Sequence, residues 1–375
     1  MRNIDPKVDE AIETLNMKDS PTRRRLLAGT GLFGASAAAS ALLAACGSST
    51  TSSAGGVGNF PSTPKWKFVF VNHVTTNPFF VPTQYGAADA CALLGCSYSW
   101  TGSQTSSVPE MVSATNAAIS AKANGIAVAV ISSTAFTTPV NNAMSAGIPV
   151  VSYNADGNVG DPGTSRLAYI GQDLFVSGQE LGKRIVAGMP GGGDAVGFIA
   201  TPGTANIQPR IDGAKAAIQA SGKNIKFTSV ATGASLSQEN TTINAYVLAH
   251  KSSLKGIFAV DAGSTQTVGS IVQKYNLQSQ VVSGGFDLTP QTLASIKGGS
   301  LGFTIDQQPY LQGFLPVLAL YMFNLSGGLV HPPETNTGLT FVTKSNVGPY
   351  LNTTSRYEGS TTAEKYLKRS GAITA

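Results

Sequence analysis

Residues 125–154 read GIAVAVISSTAFTTPVNNAMSAGIPVVSYN, and this stretch decides the fold. It opens on an apolar, strand-like run, GIAVAVI (125–131), and passes through a helical pattern near 136–146. A second apolar run, IPVVSYN (148–154), closes it. Strand, helix and strand at this spacing predict two parallel neighbours in one sheet.

The same alternation continues in both directions. Upstream come KFVFV (67–71), a helix near 80–94, CSYSW (96–100) and a helix near 108–123. Downstream the series restarts: a helix at 173–188, DAVGFIA (194–200), a helix at 206–221, KFTSVA (226–231), a helix near 236–251 and GIFAVD (256–261). Then follow a helix near 263–275, VVSGGFD (281–287), a helix near 290–297, GFTIDQ (302–307), a long helix over about 309–325 and LTFVT (339–343). Two consecutive doubly wound series predict an α/β protein of two parallel-sheet lobes. The whole chain has 375 residues, enough for two domains with sizeable cores. Its apolar content of 42% and its 42 glycines fit a compact α/β protein better than a disordered one. Its net charge of +5 is mild, and its basic residues form no stripe, which argues against nucleic acid as a partner.

The N-terminus stands apart from the fold. TRRRLLAGTGLFGASAAASALLAAC (22–46) runs from a basic region through an apolar one to a small-residue site, the pattern of an export signal. Arg23-Arg24 resembles the twin-arginine type, with the general export route left open. Leu43-Ala44-Ala45-Cys46 resembles a bacterial lipobox, which makes Cys46 a lipidation site and the first mature residue. The competing reading is a short transmembrane anchor, since Leu26 to Ala45 is about long enough to span. The Ser/Gly-rich tract that follows favours a lipoprotein whose residues 47–64 are a flexible tether. Gly29, Gly31 and Gly34 match a dinucleotide-binding pattern but follow no strand, so the match is false. Cys91 and Cys96 could be bridged or free. His73, His250 and His331 show no metal spacing, and no cofactor is expected.

In open parallel sheets ligands bind beyond the carboxyl ends of the strands. Those ends carry His73 to Phe80, Asn154 to Asp156, Thr201 to Arg210, Asp261, Phe286-Asp287 and Asp306 to Gln308. Amides, carboxylates and rings of this kind suit hydroxyl recognition: the polar groups bond the hydroxyls and the rings cover C–H faces.

These stretches, over roughly 66–345, resemble the type I periplasmic sugar-binding proteins of ABC transporters, the ribose-binding group. The motifs are TTNPFF (75–80), IPVVSYNAD (148–156), Arg210-x-x-Gly213, GGFDLTP (284–290) and TIDQQPYLQG (304–313). The resemblance implies that Asn77 bonds a ligand hydroxyl and that Phe79 and Phe80 form the platform for the sugar ring, or that one ring packs into the core. Pro78 fixes φ and stiffens that loop. It further implies ligand contacts from His73, Asn154, Arg210, Asp261, Asp287 and Gln307. Phe286 either stacks on the ligand or belongs to the core. Asn154 and Ala155 stand where ribose-type members carry an aspartate and an arginine, and Asp261 replaces a frequent asparagine. These departures put ribose in doubt and suit an acyclic polyol or another uncharged sugar.

By the same resemblance, residues 65–170 plus 309–335 form the N-terminal lobe and 171–308 plus 336–350 the C-terminal lobe, with 351–375 a tail. Three hinge crossings would lie near 169–172, 306–309 and 334–338. The expected protein is a monomer, extracytoplasmic and lipid-anchored to the outer face of the cytoplasmic membrane, with ABC permease subunits as partners. An enzyme is disfavoured because GxSxG, HExxH, a P-loop and CxxC do not occur. A repressor of this fold would carry a helix-turn-helix where the export signal stands. A chemosensor receptor, or a receptor for a furanone such as autoinducer-2, remains the closer alternative.

Overall fold

The computed structural model describes residues 61–157, 163–328 and 332–351. The export segment, Cys46, the tether as far as residue 60, His331 and the tail from 352 onward lie outside the described residues. The first sheet contains β1 (Lys67–Asn72), β2 (Ser97–Gly102), β3 (Gly125–Val130), β4 (Val150–Asp156), β5 (Tyr169–Gly171) and, from far along the chain, β11 (Glu334–Asn336). Its order is β11-β5-β4-β3-β1-β2, parallel throughout. The second sheet contains β6 (Gly193–Ile199), β7 (Ile225–Ala231), β8 (Leu254–Ala259), β9 (Val282–Phe286), β10 (Phe303–Asp306) and β12 (Thr340–Thr343). Its order is β12-β10-β9-β8-β6-β7, with β12 antiparallel at the edge.

The burial of β3 explains its composition. Every residue of GIAVAV is buried, so neither face alternates with polar side chains. Helices flank the sheets: α1 (Val81–Leu94), α2 (Val108–Ser120), α3 (Ser133–Ser145), α4 (Leu174–Gly188), α5 (Gln208–Ala220), α6 (Leu236–His250), α7 (Ala262–Lys274), α8 (Pro290–Gly298), α9 (Leu311–Ser326) and the short α10 (Gly348–Leu351). Their starts follow local chemistry. Asp173 caps α4 by accepting from the Val176 N–H at 2.9 Å, and Ser235 with Gln238 forms a capping box on α6. Gly95 ends α1 in the left-handed region at φ 69°, where an L side chain is strained. That turn lets the Cys96 N–H donate to the Cys91 carbonyl at 3.0 Å, and the two free thiols hydrogen-bond each other.

Three segments join the sheets: Gly171 to Leu174, Asp306 to Leu311 and Asn336 to Thr340. The three-residue strands β5 and β11 border two of them, where the sequence reads only as crossings. Three residues are too few to show a period, and pairing to a neighbour makes them strands. Among the described residues no helix is long and apolar enough to cross a membrane.

Candidate ligand-binding site

The loop after β1 is held by its own hydrogen bonds. Asn72 at the end of β1 donates through Nδ2 to the Tyr153 hydroxyl at 2.8 Å and accepts from the Val74 N–H at 2.8 Å. The Trp100 indole donates to the Thr75 carbonyl at 3.2 Å. Asn77 then caps a single 3-10 turn, Pro78–Phe80, its Oδ1 accepting from the Phe79 N–H at 2.9 Å. The cap fixes the Asn77 amide in the cavity wall. The two rings meet edge to face at 4.7 Å. Phe80 is buried, tilted on Trp100 at 5.9 Å, while Phe79 is half-buried. One ring is therefore anchored in the core and still reaches the cavity wall.

Nine expected residues converge. His73, Asn77, Phe79, Phe80, Asn154, Arg210, Asp261, Asp287 and Gln307 line one cavity of about 60 Å³, together with Asn206, Ile207 and Ala262. The volume corresponds to about four to six water sites, the scale of a small solute. It sits beyond the carboxyl ends of β1, β4, β6, β8, β9 and β10. Hydrogen bonds cross between the elements of the two sheets here: Asn206 Nδ2 faces His73 Nε2 at 3.2 Å, and the Ala205 N–H donates to the Ile131 carbonyl at 3.1 Å.

Phe286 is the exception. It is fully buried and does not line the cavity; the Arg210 guanidinium lies over its ring at 4.1 Å. The ring at the end of β9 points into the core and supports the arginine instead of a ligand. Arg210 itself is buried and donates to the Val260 carbonyl at 2.9 Å and to Gln172 Oε1 at 3.0 Å. Asp287 is not the cap of α8; Thr289 is, accepting from the Thr292 N–H at 3.1 Å. Asp287 stands at φ 74° and accepts from Gln307 Nε2 at 2.7 Å. Asn154, also left-handed at φ 63°, donates to Gln312 Oε1 at 3.1 Å. Asparagine and aspartate tolerate that region better than most residues.

Electrostatics follow from burial. Desolvation pushes His73 down to about 4, so its ring is neutral near pH 7. With Asn206 as donor to Nε2, the ring proton sits on Nδ1, which has no partner among the described residues. Asn206 Oδ1 and Arg210 Nε are buried and unpartnered as well. Burial pushes Asp287 up to about 6 against the opposing pull of Arg210. Asp261 is also raised by burial, although it accepts from the Ser264 and Ala200 N–H groups at 2.8 and 3.0 Å.

The site continues into the crossings. Gln312 Nε2 donates to Gln307 Oε1 and to the Thr337 hydroxyl, both at 3.1 Å, and Gln172 Nε2 donates to the Gly338 carbonyl at 3.0 Å. All three joining segments thus share one amide network with Arg210 and Asp287. A larger cavity of about 390 Å³ opens beside the crossings, lined by Asp156, Tyr169, Phe175 and Glu334 among others. Of its three carboxylates, Asp156 and Glu334 are already paired with Arg166 and Asp173 caps α4, and none of its lining residues carries an unpartnered buried polar atom. The smaller cavity is the one whose polar groups await a partner.

The sequence missed Asn206, Gln172 and Gln312. Asn206 lies in the strand-end loop Thr201 to Arg210, so its place was visible but no spacing singled it out.

Two parallel-sheet lobes, three crossings and a small polar cavity at the strand ends define a hinged solute-receptor architecture. Residues 68–325 match the family described as "Periplasmic binding protein domain", and the chain belongs to that family. It is 52% identical over 319 residues to the xylose/arabinose-binding protein XylF of Sulfolobus acidocaldarius, covering 82% of this chain and 78% of that protein. An ABC-transporter solute-binding protein from Burkholderia graminis in complex with D-arabinose superposes with a TM-score of 0.71 at 25% identity, over 78% of this chain and 99% of that one. A carbohydrate transporter protein from Acidothermus cellulolyticus in complex with myo-inositol gives 0.68 at 26% identity, over 77% and 97% of the two chains.

Proposed function

We propose that this chain is the extracytoplasmic receptor of an ABC importer and binds one neutral sugar or polyol, a pentose foremost, between its lobes. The observation that carries this reading is the set of three buried, unpartnered polar atoms at one cavity: His73 Nδ1, Asn206 Oδ1 and Arg210 Nε. Leaving such atoms unpaired costs about 1–3 kcal/mol each, and a polyhydroxy ligand offers donors and acceptors to all of them. Phe79 and Phe80 supply the apolar wall for C–H faces. Arg210 is matched by two carboxylates, Asp261 and Asp287, which disfavours an anionic sugar phosphate. His73 bonds an amide rather than a hydroxyl or thiol, a binding arrangement and not a nucleophile–base pair. The likeness to a xylose/arabinose-binding protein and to a D-arabinose complex supports a pentose.

The lobes 65–170 plus 309–335 and 171–308 plus 336–350 close about the three crossings, and the ligand shifts the balance toward the closed form by its differential affinity. The closed pair of lobes is what a permease would read. Lipidation at Cys46 holds the receptor at the outer face of the membrane, with residues 47–64 as tether, since stable anchoring takes two or more acyl chains.

The test is thermal unfolding of the full chain against xylose, arabinose, ribose, hexoses, tetritols, pentitols, inositols and furanones. A ligand at 100 times its Kd adds about 2.7 kcal/mol. A shift with pentoses is expected. A shift with furanones alone would overturn the sugar reading, and a ribose preference of about tenfold or more over every polyol would remove the polyol arm.

A further inference from the structure

Glu239 is a buried carboxyl with no part in the cavity wall. It lies on α6, 4% exposed, in a segment, LSQENTT (236–242), that is otherwise largely open to solvent. Its side chain reaches across to the amino end of α7. A Cβ placed on Gly263 would overlap both Glu239 carboxyl oxygens, so the glycine is what lets the carboxyl in. There it hydrogen-bonds Asp261 and Ser264. Two carboxyl groups in contact, with Glu239 buried and Asp261 half-buried, cannot both be ionised without large cost, so they share one proton.

The Ser264 N–H donates to Asp261 Oδ1 and the Ala200 N–H to Oδ2, and the Ser264 hydroxyl also bonds this carboxylate. We propose that Glu239 is a positioning residue of the sugar site: protonated, it donates to Asp261 and holds that carboxylate in the cavity wall, oriented toward a ligand hydroxyl. This rests on the reading of the cavity as a sugar site. The charged groups around the pair are Arg210 on α5 and Asp287 beyond β9, with Gly263 and Ser264 neutral on α7. Ionising Glu239 adds a second charge beside Asp261 that Arg210 alone must balance, and Asp261 then loses the donor that Glu239 supplied. Burial and the Asp261 charge push Glu239 up to about 9. Binding is therefore supported below that pH and fades as pH rises through it.

The experiment is calorimetric titration of the detergent-purified full chain with D-xylose and L-arabinose from pH 6 to pH 10, with thermal unfolding to confirm folding. Wild type is expected to lose about tenfold in affinity per pH step above about 9. Glu239→Ala is expected to lose about tenfold already at pH 7. Glu239→Gln keeps a donor without a titrating proton; it is expected to recover most of that loss and to stay flat to pH 10. Gly263→Ala displaces the same carboxyl by sterics and is expected to follow Glu239→Ala. A folded Glu239→Gln that keeps the wild-type pH profile, or that binds as poorly as Glu239→Ala at pH 7, overturns the assignment. A wild type that binds neither pentose at any pH is a different result: it overturns the sugar reading, and the assignment with it.

Discussion

Phe79 and Phe80 are adjacent, yet their jobs separate. Phe80 is buried against Trp100 and His73, so Phe80→Ala should cost about 3–5 kcal/mol of stability, measured by denaturant unfolding. Phe79 is half-buried at the cavity, so Phe79→Ala should weaken sugar binding about tenfold with a smaller loss of stability. Asp287 accepts from Gln307 and faces Arg210, and its removal strips Gln307 Nε2 of its acceptor and Arg210 of one of its two opposing carboxylates. Asp287→Ala should therefore lower pentose affinity by about 10- to 100-fold in titration calorimetry, the range of a hydrogen bond to a charged group. The identities of these residues were plain in the sequence. What was not plain was direction: Phe286 reads as a possible stacking ring, and only packing shows that it lies under Arg210 instead of in the cavity.

At the scale of elements, α4 and α5 touch through glycines. A Cβ on Gly213 would run into the Phe175 carbonyl, and one on Gly178 into the backbone of Arg210. Gly213→Ala must push α5 away from α4. It should cost about 1–3 kcal/mol of stability, and, because α5 carries Arg210, it should also weaken sugar binding. Unfolding and titration on the same variant check both. A mutation that only loosened the helices would leave the affinity of the surviving folded fraction unchanged. The Arg210-x-x-Gly213 pattern announced a helix start, and it gave no sign that the glycine is a contact between helices.

Across the whole molecule, opposing titrations shape the pH response. His73 falls from 6.5 to about 4 on folding, so its contribution is complete above pH 6.5 and is lost as pH falls toward 4. Asp287 rises from 3.8 to about 6, so its contribution is complete below pH 3.8 and is lost as pH rises toward 6. Each swing is about 3 kcal/mol at 1.36 kcal/mol per unit, and the two nearly cancel. Relative to wild type, Asp287→Asn should gain stability as pH rises from 4 to 6, and His73→Asn should lose it over that range, both read as the pH dependence of denaturant midpoints. The crossings add a mechanical prediction. Gln172→Ala cuts the link from Arg210 to Gly338 and should lower sugar affinity although Gln172 lies outside the cavity wall.

Local sequence determined the alternation of strands and helices, the two series, and nine of the cavity residues, because period, caps and strand-end chemistry are properties of neighbouring residues. The short strands β5 and β11 needed partners: Glu334 pairs with Tyr169 although most of the second sheet lies between them in the chain, and no local pattern can encode that. Glu239 belongs to the same class. Its segment reads as a solvated helix face, and only the packing of α6 on α7 buries its carboxyl beside Asp261. Tertiary structure alone decided which polar atoms are left without partners, since hydrogen-bond satisfaction is a sum over everything that surrounds an atom once the chain has folded.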